Sequence, residues 1–303
     1  MKKTNLFLLG APRSGTTQLA SWLSQNENID LLSVKEPNYF SSEDFPKEYV
    51  SKTKLNDVSP EEYCKGRVKR DVQFSVFREK EHYAYLLKGL SSRYRMDAST
   101  SYLKSKSALN RIYKYNDHSF FVVLLRDPIR RAVSHYQLAR RTGRTSKALS
   151  ELLHAKDEGV EEYLISGSQY SRHLEDYFEK FGRNRFLVLF FEDMIENPLG
   201  ALREIEAFLE LDCHNYMLEA DKQNSSAMPR SMLFHRFIHG TGLKSFVLKF
   251  IGSGLESRIR NLYFNKSKKA EVTEADLECL RDLLASEYSE MLKSFPEVEQ
   301  KWG

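Results

Sequence analysis

The sequence contains little cysteine and no long apolar run. Its 303 residues include three cysteines, Cys64, Cys213 and Cys279, which are scattered without the two-residue spacing of zinc or redox sites. They indicate neither a disulfide framework nor a zinc site, and we expect a reducing compartment. No stretch approaches the roughly 18 consecutive apolar residues that a membrane-spanning helix needs. We therefore expect no transmembrane segment.

A large excess of one charge is also missing. The chain has 46 Lys and Arg against 42 Asp and Glu, which leaves a formal net charge of +4. This small excess permits an anionic ligand but falls short of the basic profile of a nucleic-acid-binding module, so we expect no nucleic-acid partner. With 41% hydrophobic and 12% aromatic residues, the chain has enough material for the core of a globular protein.

Continuous apolar runs predict buried strands at residues 5–9, 119–126 and 185–193. Such runs, alternating with helix-like patterns, are typical of a parallel sheet covered on both faces. Shorter strands are predicted at residues 29–33 and 94–99. Helices are predicted near residues 16–25, 79–90, 105–115, 128–142, 169–181, 198–210 and 274–294. We predict one α/β domain over residues 1–303, with three α/β/α layers and a central parallel sheet, and with insertions or lids near 41–75 and 236–265.

A phosphate-binding loop is predicted between the first strand and the first helix. Gly10 to Thr17 fits the pattern G-x-x-x-x-G-K-S/T at every position but one, because Thr16 stands where the lysine is expected. The backbone N–H groups of residues 14–17 would lie at a helix N-terminus, where they attract an anion. Arg13 adds a positive charge inside the loop. The alternative is an ordinary strand-to-helix turn.

A second candidate site lies in residues 120–136. Arg126 stands at the carboxyl end of a predicted buried strand, where α/β sheets place their ligands, and Ser134 follows eight residues later in the next helix. A guanidinium and a hydroxyl in these positions would bind a second phosphate at the same sheet edge. The alternative is a structural ion pair between Arg126 and Asp127.

A third candidate is Glu36, which follows the second predicted strand and precedes Pro37, a residue that favours extended backbone before it. A carboxylate on this rim would serve as a general base for an acceptor hydroxyl. The alternative is a solvated loop carboxylate. We expect the neighbouring Lys35 to lie at the surface.

Six segments combine these signals: GAPRSGTTQLASWLSQNENI, KEPNYF, MDASTSYL, VVLLRDPIRRAVSHYQLARR, YSRHLEDYFEKFGRNRFLVLFFEDMIENPLGALREIEAFLEL and NSSAMPRSMLF. In this order they resemble the sulfotransferases that use 3′-phosphoadenosine 5′-phosphosulfate (PAPS), especially the carbohydrate branch with the heparan sulfate sulfotransferases and their bacterial relatives. The resemblance covers most of residues 5–235, and the first and fourth segments are the most specific. Because PAPS has no γ-phosphate, the resemblance also accounts for the missing lysine.

The resemblance implies the sulfotransferase fold and transfer of a sulfuryl group from PAPS, without a metal, to an acceptor hydroxyl on a carbohydrate. Arg126 and Ser134 would bind the 3′-phosphate, and Glu36 would be the base. Arg13 occupies a position often held by a catalytic lysine, and Arg230 lies in a late loop that folds over the nucleotide. The 5′-phosphosulfate is assigned to six loop residues: Pro12, Arg13, Ser14, Gly15, Thr16 and Thr17.

The sequence departs from the heparan branch at one motif position. That branch commonly has a lysine after the acid of the third segment, whereas Ala98 follows Asp97 here. One expected charge near the donor or acceptor is therefore missing, and the sequence does not specify a heparan-type acceptor. Residues 236–303 match only loosely. The start of the chain on its first strand suits a bacterial-type cytoplasmic enzyme, unless an anchor precedes it in a longer protein.

Two other functions stay open from the sequence. The first is an enzyme that uses a nucleoside triphosphate, in which Glu192 and Asp193, at the end of an apolar run, would bind magnesium. A loop without lysine, however, neutralises the charge of β- and γ-phosphates poorly. Asp193 is predicted instead to cap the following helix. A non-catalytic protein that binds polyanions would use five arginines in and just after the fourth segment. They are dispersed around a helix and expected in solvent: Arg130, Arg131, Arg140, Arg141 and Arg144.

Overall fold

The computed structural model of the protein describes residues 2–66, 72–154, 160–218, 228–229, 264–265 and 270–303. Its strands are β1 (Leu6–Leu8), β2 (Ile29–Leu31), β3 (Val34–Glu36), β4 (Val72–Phe74), β5 (Tyr94–Asp97), β6 (Phe120–Leu125), β7 (Phe186–Phe190), β8 (Met228–Pro229) and β9 (Phe264–Asn265). The helices are α1 (Thr16–Leu23), α2 (Lys47–Thr53), α3 (Pro60–Cys64), α4 (Lys80–Tyr85), α5 (Lys106–Tyr115), α6 (Pro128–Arg141), α7 (Leu149–His154), α8 (Val160–Ile165), α9 (Ser171–Phe181), α10 (Phe191–Glu196), α11 (Pro198–Phe208), α12 (Glu274–Ser294) and α13 (Val298–Trp302).

A five-stranded parallel sheet forms the centre of the fold, with the strand order β2-β5-β1-β6-β7. The five strands are those that the sequence predicts, three from continuous apolar runs and two from shorter strand patterns. In β1, Leu6 and Leu8 face one buried cluster, whereas Phe7 and Leu9 face the other. Both faces of the sheet are thus covered, which explains why the sequence runs are continuously apolar.

Helices cover both faces of this sheet. Residues of α4, α5 and α9 pack in one cluster around Phe121 of β6, whose ring is stacked on that of Phe186 at a centroid distance of 4.5 Å. Residues of α1 and α11 pack in the other cluster, around Val122 and Leu124. The predicted α/β fold with three layers and a central parallel sheet is confirmed.

The predicted helix positions agree with the structure. Pro128 and Pro198 begin α6 and α11 as first-turn prolines. At the start of α12, Thr273 and Asp276 form a capping box, in which the Asp276 N–H donates to the Thr273 hydroxyl at 3.2 Å and the Thr273 N–H donates to the Asp276 carboxylate at 2.8 Å.

The region that the sequence left unassigned, residues 41–75, contains short regular elements. It includes α2, α3 and β4, and β4 pairs in parallel with β3 in a separate two-stranded sheet. Strand β3 is not predicted as a separate strand. Of the second predicted insertion, residues 236–265, all but 264–265 lie outside the described residues.

The chain divides into two compact units. The first comprises residues 1–127, 169–219 and 287–303, and the second comprises residues 128–168 and 220–286. The first unit holds the parallel sheet. That residues 1–303 form a single sulfotransferase domain stays a prediction.

The second unit has its own small core, which includes Tyr136, Leu152 and Leu280. Arg131 of α6 is fully buried in this unit and donates to the carbonyl oxygens of Tyr163 and Leu164 at 2.6 and 2.8 Å. The expectation that Arg131 is solvated is therefore wrong, because its guanidinium is buried and its Nη2 donates to two backbone carbonyls.

Among the helices that the structure describes, none combines the length and the apolar character required to cross a membrane.

Candidate active site

The strand order places a crevice at the carboxyl ends of β1 and β6. From β1 the chain continues to β2, at one edge of the sheet. From β6 it continues to β7, at the opposite edge. Ligands of open α/β sheets bind where successive connections diverge in this way. The predicted loop, residues 10–17, follows β1, and Arg126 directly follows β6, so both reach the same edge.

The loop presents unused donors at the start of α1. Gly15 caps the helix in the left-handed conformation with φ of 86°, and its carbonyl accepts the N–H groups of Gln18 and Leu19. Among the backbone hydrogen bonds of the described residues, none uses the N–H groups of Gly15, Thr16 or Thr17. These groups lie at a helix N-terminus, where the helix dipole favours an anion.

The Ser14 hydroxyl is a second sign of an anion site. Its side chain is fully buried, and its oxygen has no hydrogen-bond partner among the described residues. A buried hydroxyl without a partner costs free energy, which a bound acceptor would offset. The donors of this loop therefore fit a phosphate or a phosphosulfate group.

Gly15 is required by space as well as by backbone conformation. A Cβ atom at this position would lie 2.9 Å from Met194 Cε and 3.0 Å from two carbons of the Phe191 ring. Both neighbours belong to α10, so this helix packs directly on the loop. Any other residue at position 15 would require the Met194 side chain, the Phe191 ring or the loop to move.

Arg126 is attached to the loop. Its Nη1 donates to the Arg13 carbonyl at 3.0 Å, and its guanidinium lies over the Phe191 ring with Cζ 4.5 Å from the ring centroid. The Tyr170 hydroxyl donates to the Arg126 carbonyl at 3.0 Å. These contacts hold a half-buried guanidinium at the ligand-bearing edge, beside the loop.

Glu36 is held close to the loop by Lys35. The Lys35 ammonium donates to Glu36 Oε1 at 2.7 Å and lies 3.4 Å from the Thr16 hydroxyl and from the Ala98 carbonyl. The Thr100 hydroxyl donates to Glu36 Oε2 at 3.0 Å. The side chains of Lys35 and Glu36 are 6% and 18% exposed. Both the expectation of a surface Lys35 and the alternative of a solvated Glu36 are therefore wrong.

A buried carboxylate supports this cluster from behind. Asp97, at the end of β5, accepts the Ser99 N–H and hydroxyl at 3.1 and 2.7 Å and the hydroxyls of Tyr83 and Tyr102 at 2.9 Å each. Ser99 in turn accepts the backbone N–H of Asn38 at 3.0 Å. Burial raises the pKa of Asp97 to about 6 despite these hydrogen bonds. The network joins the segment after β3 to the segment after β5.

The other predicted site residues lie as follows. Pro12 and Arg13 are half-buried in the loop, and Arg13 has a positive φ of 75°. Thr17 is exposed in the first turn of α1. Ser134 is half-buried in the second turn of α6, in the second unit, and its role with Arg126 stays a prediction. Arg230 lies outside the described residues.

Glu192 and Asp193 lie in α10 and are engaged by protein groups. Glu192 accepts the Asp127 N–H and the Trp302 indole N–H, both at 3.2 Å, and Asp193 forms an ion pair with Lys301. The N-cap of α11 is Asn197, whose side chain accepts the N–H of Gly200 at 3.0 Å, so the predicted capping role of Asp193 is wrong. Within the described ranges, no group of three or more His, Cys, Asp or Glu side chains is arranged to hold a metal.

Sequence reasoning missed Lys35 and Thr100 as members of the site. The available signal for Lys35 was its position beside Glu36, the candidate base. Thr100 carried no comparable signal, since its contact with Glu36 joins residues 64 positions apart.

Comparisons with known proteins agree with this geometry. The sequence model of the sulfotransferase family matches residues 5–215. The chain therefore belongs to the sulfotransferase family and is an enzyme. A crystal structure of a sulfotransferase from Alicyclobacillus acidocaldarius has the same fold, with a TM-score of 0.66 and 20% identity over 98% of this chain and 97% of that one.

Two mouse proteins are also similar to this chain. They are heparan sulfate glucosamine 3-O-sulfotransferases 3B1 and 3A1, each 28% identical over 127 residues. The matched segment is 40% of this chain, and the chain spans about a third (32%) of the length of these curated relatives.

Replacement of Gly15 by alanine tests the close packing of the loop. We expect Gly15→Ala to destabilise the protein by about 1–3 kcal/mol, because it adds steric overlap to the strain of a positive φ. Gly89→Ala is the matched control, since Gly89 has φ of 80° and open space around its Cβ position. Chemical denaturation measures the free energy of unfolding that each variant loses. Equal losses would contradict the close approach of α10 to the loop.

The raised pKa of Asp97 predicts a pH-dependent stability. The native state binds this proton more tightly than the unfolded chain, whose Asp has the ordinary value of 3.8. The contribution of Asp97 to stability is therefore present below pH 4 and is lost as the pH rises to about 6, by about 3 kcal/mol in total.

The measurement is the free energy of unfolding of the wild type and of Asp97→Asn between pH 4 and pH 7. The wild type should lose stability relative to the variant as the pH rises. If the stability of the wild type relative to the variant stayed constant or increased with pH, the raised pKa of Asp97 would be contradicted.

Proposed function

We propose that this sulfotransferase transfers a sulfuryl group from PAPS to a hydroxyl of a carbohydrate, with Glu36 as the general base. The observation that carries the proposal is the position of the Lys35 ammonium, which contacts both the Thr16 hydroxyl of the loop and the Glu36 carboxylate. A carboxylate beside an anion site is the arrangement that in-line transfer from a bound anion to a hydroxyl requires.

Two anion-binding features support PAPS as the donor. The N–H groups at the start of α1 and the buried Ser14 hydroxyl suit the 5′-phosphosulfate, and Arg126 suits the 3′-phosphate, with Ser134 as a further donor. A guanidinium binds phosphate through two parallel hydrogen bonds. The proposal also assigns Arg230 to nucleotide binding, as the resemblance implies.

The residues of the site have separate roles in the proposed step. The bound donor supplies a sulfur atom, whose bond to the 5′-phosphate oxygen breaks as the acceptor oxygen bonds to it. Glu36 takes the proton of the acceptor hydroxyl, and the Thr100 hydroxyl keeps the carboxylate oriented. Arg13 and the loop N–H groups stabilise the negative charge that remains on the 5′-phosphate. The guanidinium of Arg13 does not give up a proton in this step.

A cleft beside the segment that follows β4 supports a carbohydrate acceptor. It has a volume of about 610 Å³ and is lined by residues of α2, α3 and the segment after β4. Its basic residues are Lys47, Lys54, Arg78 and His82, and its polar wall suits hydroxyl-rich or acidic sugars. The segment after β4 is hydrogen-bonded to the Glu36 carbonyl through the Ser75 N–H at 3.0 Å. The names of the two mouse relatives point to the same class of acceptor.

Nucleotide selectivity tests the donor. 3′-Phosphoadenosine 5′-phosphate (PAP) should raise the melting temperature far more than AMP, because only PAP carries a 3′-phosphate. Arg126→Ala should abolish this difference, whereas Arg172→Ala, an exposed arginine of α9, should preserve it. Comparing both nucleotides on the same variant removes any effect of Arg126 on folding. Equal stabilisation of the wild type by PAP and AMP would contradict the assignment of the 3′-phosphate.

Replacement of Glu36 tests the chemistry. Transfer from radiolabelled PAPS is first measured with polysaccharides, glycolipids and small alcohols, which identifies the acceptor class. Glu36→Gln should then lower kcat by about 100-fold or more, because the amide cannot take the acceptor proton. The thermal shift with PAP should persist. Glu48→Gln, a surface carboxylate of α2, is the control. Activity of Glu36→Gln within a few fold of wild type would rule out Glu36 as the base.

A further inference from the structure

Lys35 is a buried cation to which the transfer step proposed above assigns no chemical role. It is 5% exposed, and its ammonium has one short contact, with Glu36 Oε1 at 2.7 Å. The other two contacts, with the Thr16 hydroxyl and the Ala98 carbonyl, are both 3.4 Å long. An ammonium has three N–H donors. Two of these N–H groups therefore have only distant acceptors and can donate to a stronger acceptor.

The two distant contacts fall on the two positions where the sequence lacks a lysine. Thr16 occupies the lysine position of the loop pattern, and Ala98 occupies the position after Asp97 that commonly carries a lysine in the heparan branch. The Lys35 ammonium lies 3.4 Å from an oxygen of each residue. One side chain from β3 thus brings a positive charge next to both positions.

We propose that Lys35 is a catalytic residue that binds the 5′-phosphosulfate at the N-terminus of α1. This proposal rests on the function proposed above. During transfer the acceptor oxygen bonds to sulfur, the bond from sulfur to the 5′-phosphate oxygen breaks, and the electron pair stays on that oxygen. The acceptor proton goes to Glu36. Lys35 keeps its proton and stabilises the charge that develops on the leaving oxygen.

The burial of Lys35 strengthens this effect. In a poorly solvated site a fixed cation stabilises developing charge more than it would in water, and it needs no reorganisation during the step. The same ammonium holds Glu36 by an ion pair. Lys35 is therefore shared between the base and the donor, which keeps the two groups close together.

A purely structural role for Lys35 makes a different prediction. If Lys35 only orients Glu36, its loss lowers turnover but leaves the affinity for the 5′-phosphate unchanged. If Lys35 binds the donor, its loss lowers that affinity even when no acceptor is present. Binding of nucleotides that differ only in the 5′-phosphate separates these two roles.

The experiment compares PAP with 3′-AMP, which lacks the 5′-phosphate, by isothermal titration calorimetry. The ratio of the two Kd values measures the contribution of the 5′-phosphate. Lys35→Met should reduce this ratio about tenfold or more and leave the Kd for 3′-AMP within about twofold of wild type. Lys35→Arg should restore much of the ratio. Lys293→Met, which removes an exposed lysine of α12, should leave it unchanged.

A second pair of variants controls for misfolding of Lys35→Met, in which the Glu36 carboxylate has lost its cation. Glu36→Gln and the double variant Lys35→Met/Glu36→Gln both lack the ion pair, and only the double variant should lose the affinity for the 5′-phosphate. An unchanged ratio in both comparisons would overturn the role of Lys35 while leaving the proposed function intact. A wild type that does not prefer PAP over 3′-AMP would overturn the proposed donor and the role of Lys35 together.

Discussion

The ion pair between Lys35 and Glu36 is the interaction on which the site depends. A buried ammonium is stable only beside a carboxylate or other strong acceptors, so the pair requires β3 to end close to the loop after β1. The ammonium is 2.7 Å from the carboxylate and 3.4 Å from the Thr16 hydroxyl. It therefore fixes the separation between the anion site and the proposed base.

The parallel sheet explains how residues distant in the sequence reach this pair. The loop, residues 98–100 and Arg126 follow β1, β5 and β6, whose carboxyl ends lie side by side at one edge of the sheet. Asp97, at the end of β5, is connected to the segment after β3 by hydrogen bonds through Ser99. Supports of this kind hold the functional groups at fixed distances while the strands themselves provide only apolar packing.

The sequence predicts most of the fold because its signals are local. Continuous apolar runs identify β1, β6 and β7, shorter patterns identify β2 and β5, and the spacing of Gly10 and Gly15 identifies the loop. Lys35 and Arg131 are missed for the opposite reason: a charged residue is expected in solvent unless its partner is known, and their partners include Thr16 and Leu164, distant in sequence. The pairing of β3 with β4 is missed because two strands of three residues are too short to show a period, and their ladder joins residues 38 positions apart.

A crystal structure of the protein with PAP tests the central claim most directly. We expect the 5′-phosphate to lie within about 3 Å of the Thr16 and Thr17 N–H groups and of the Lys35 ammonium. The ammonium should still contact Glu36. We also expect the 3′-phosphate on Arg126. A nucleotide bound with its 5′-phosphate away from the N-terminus of α1, or with Lys35 paired to Glu36 alone, would contradict the account.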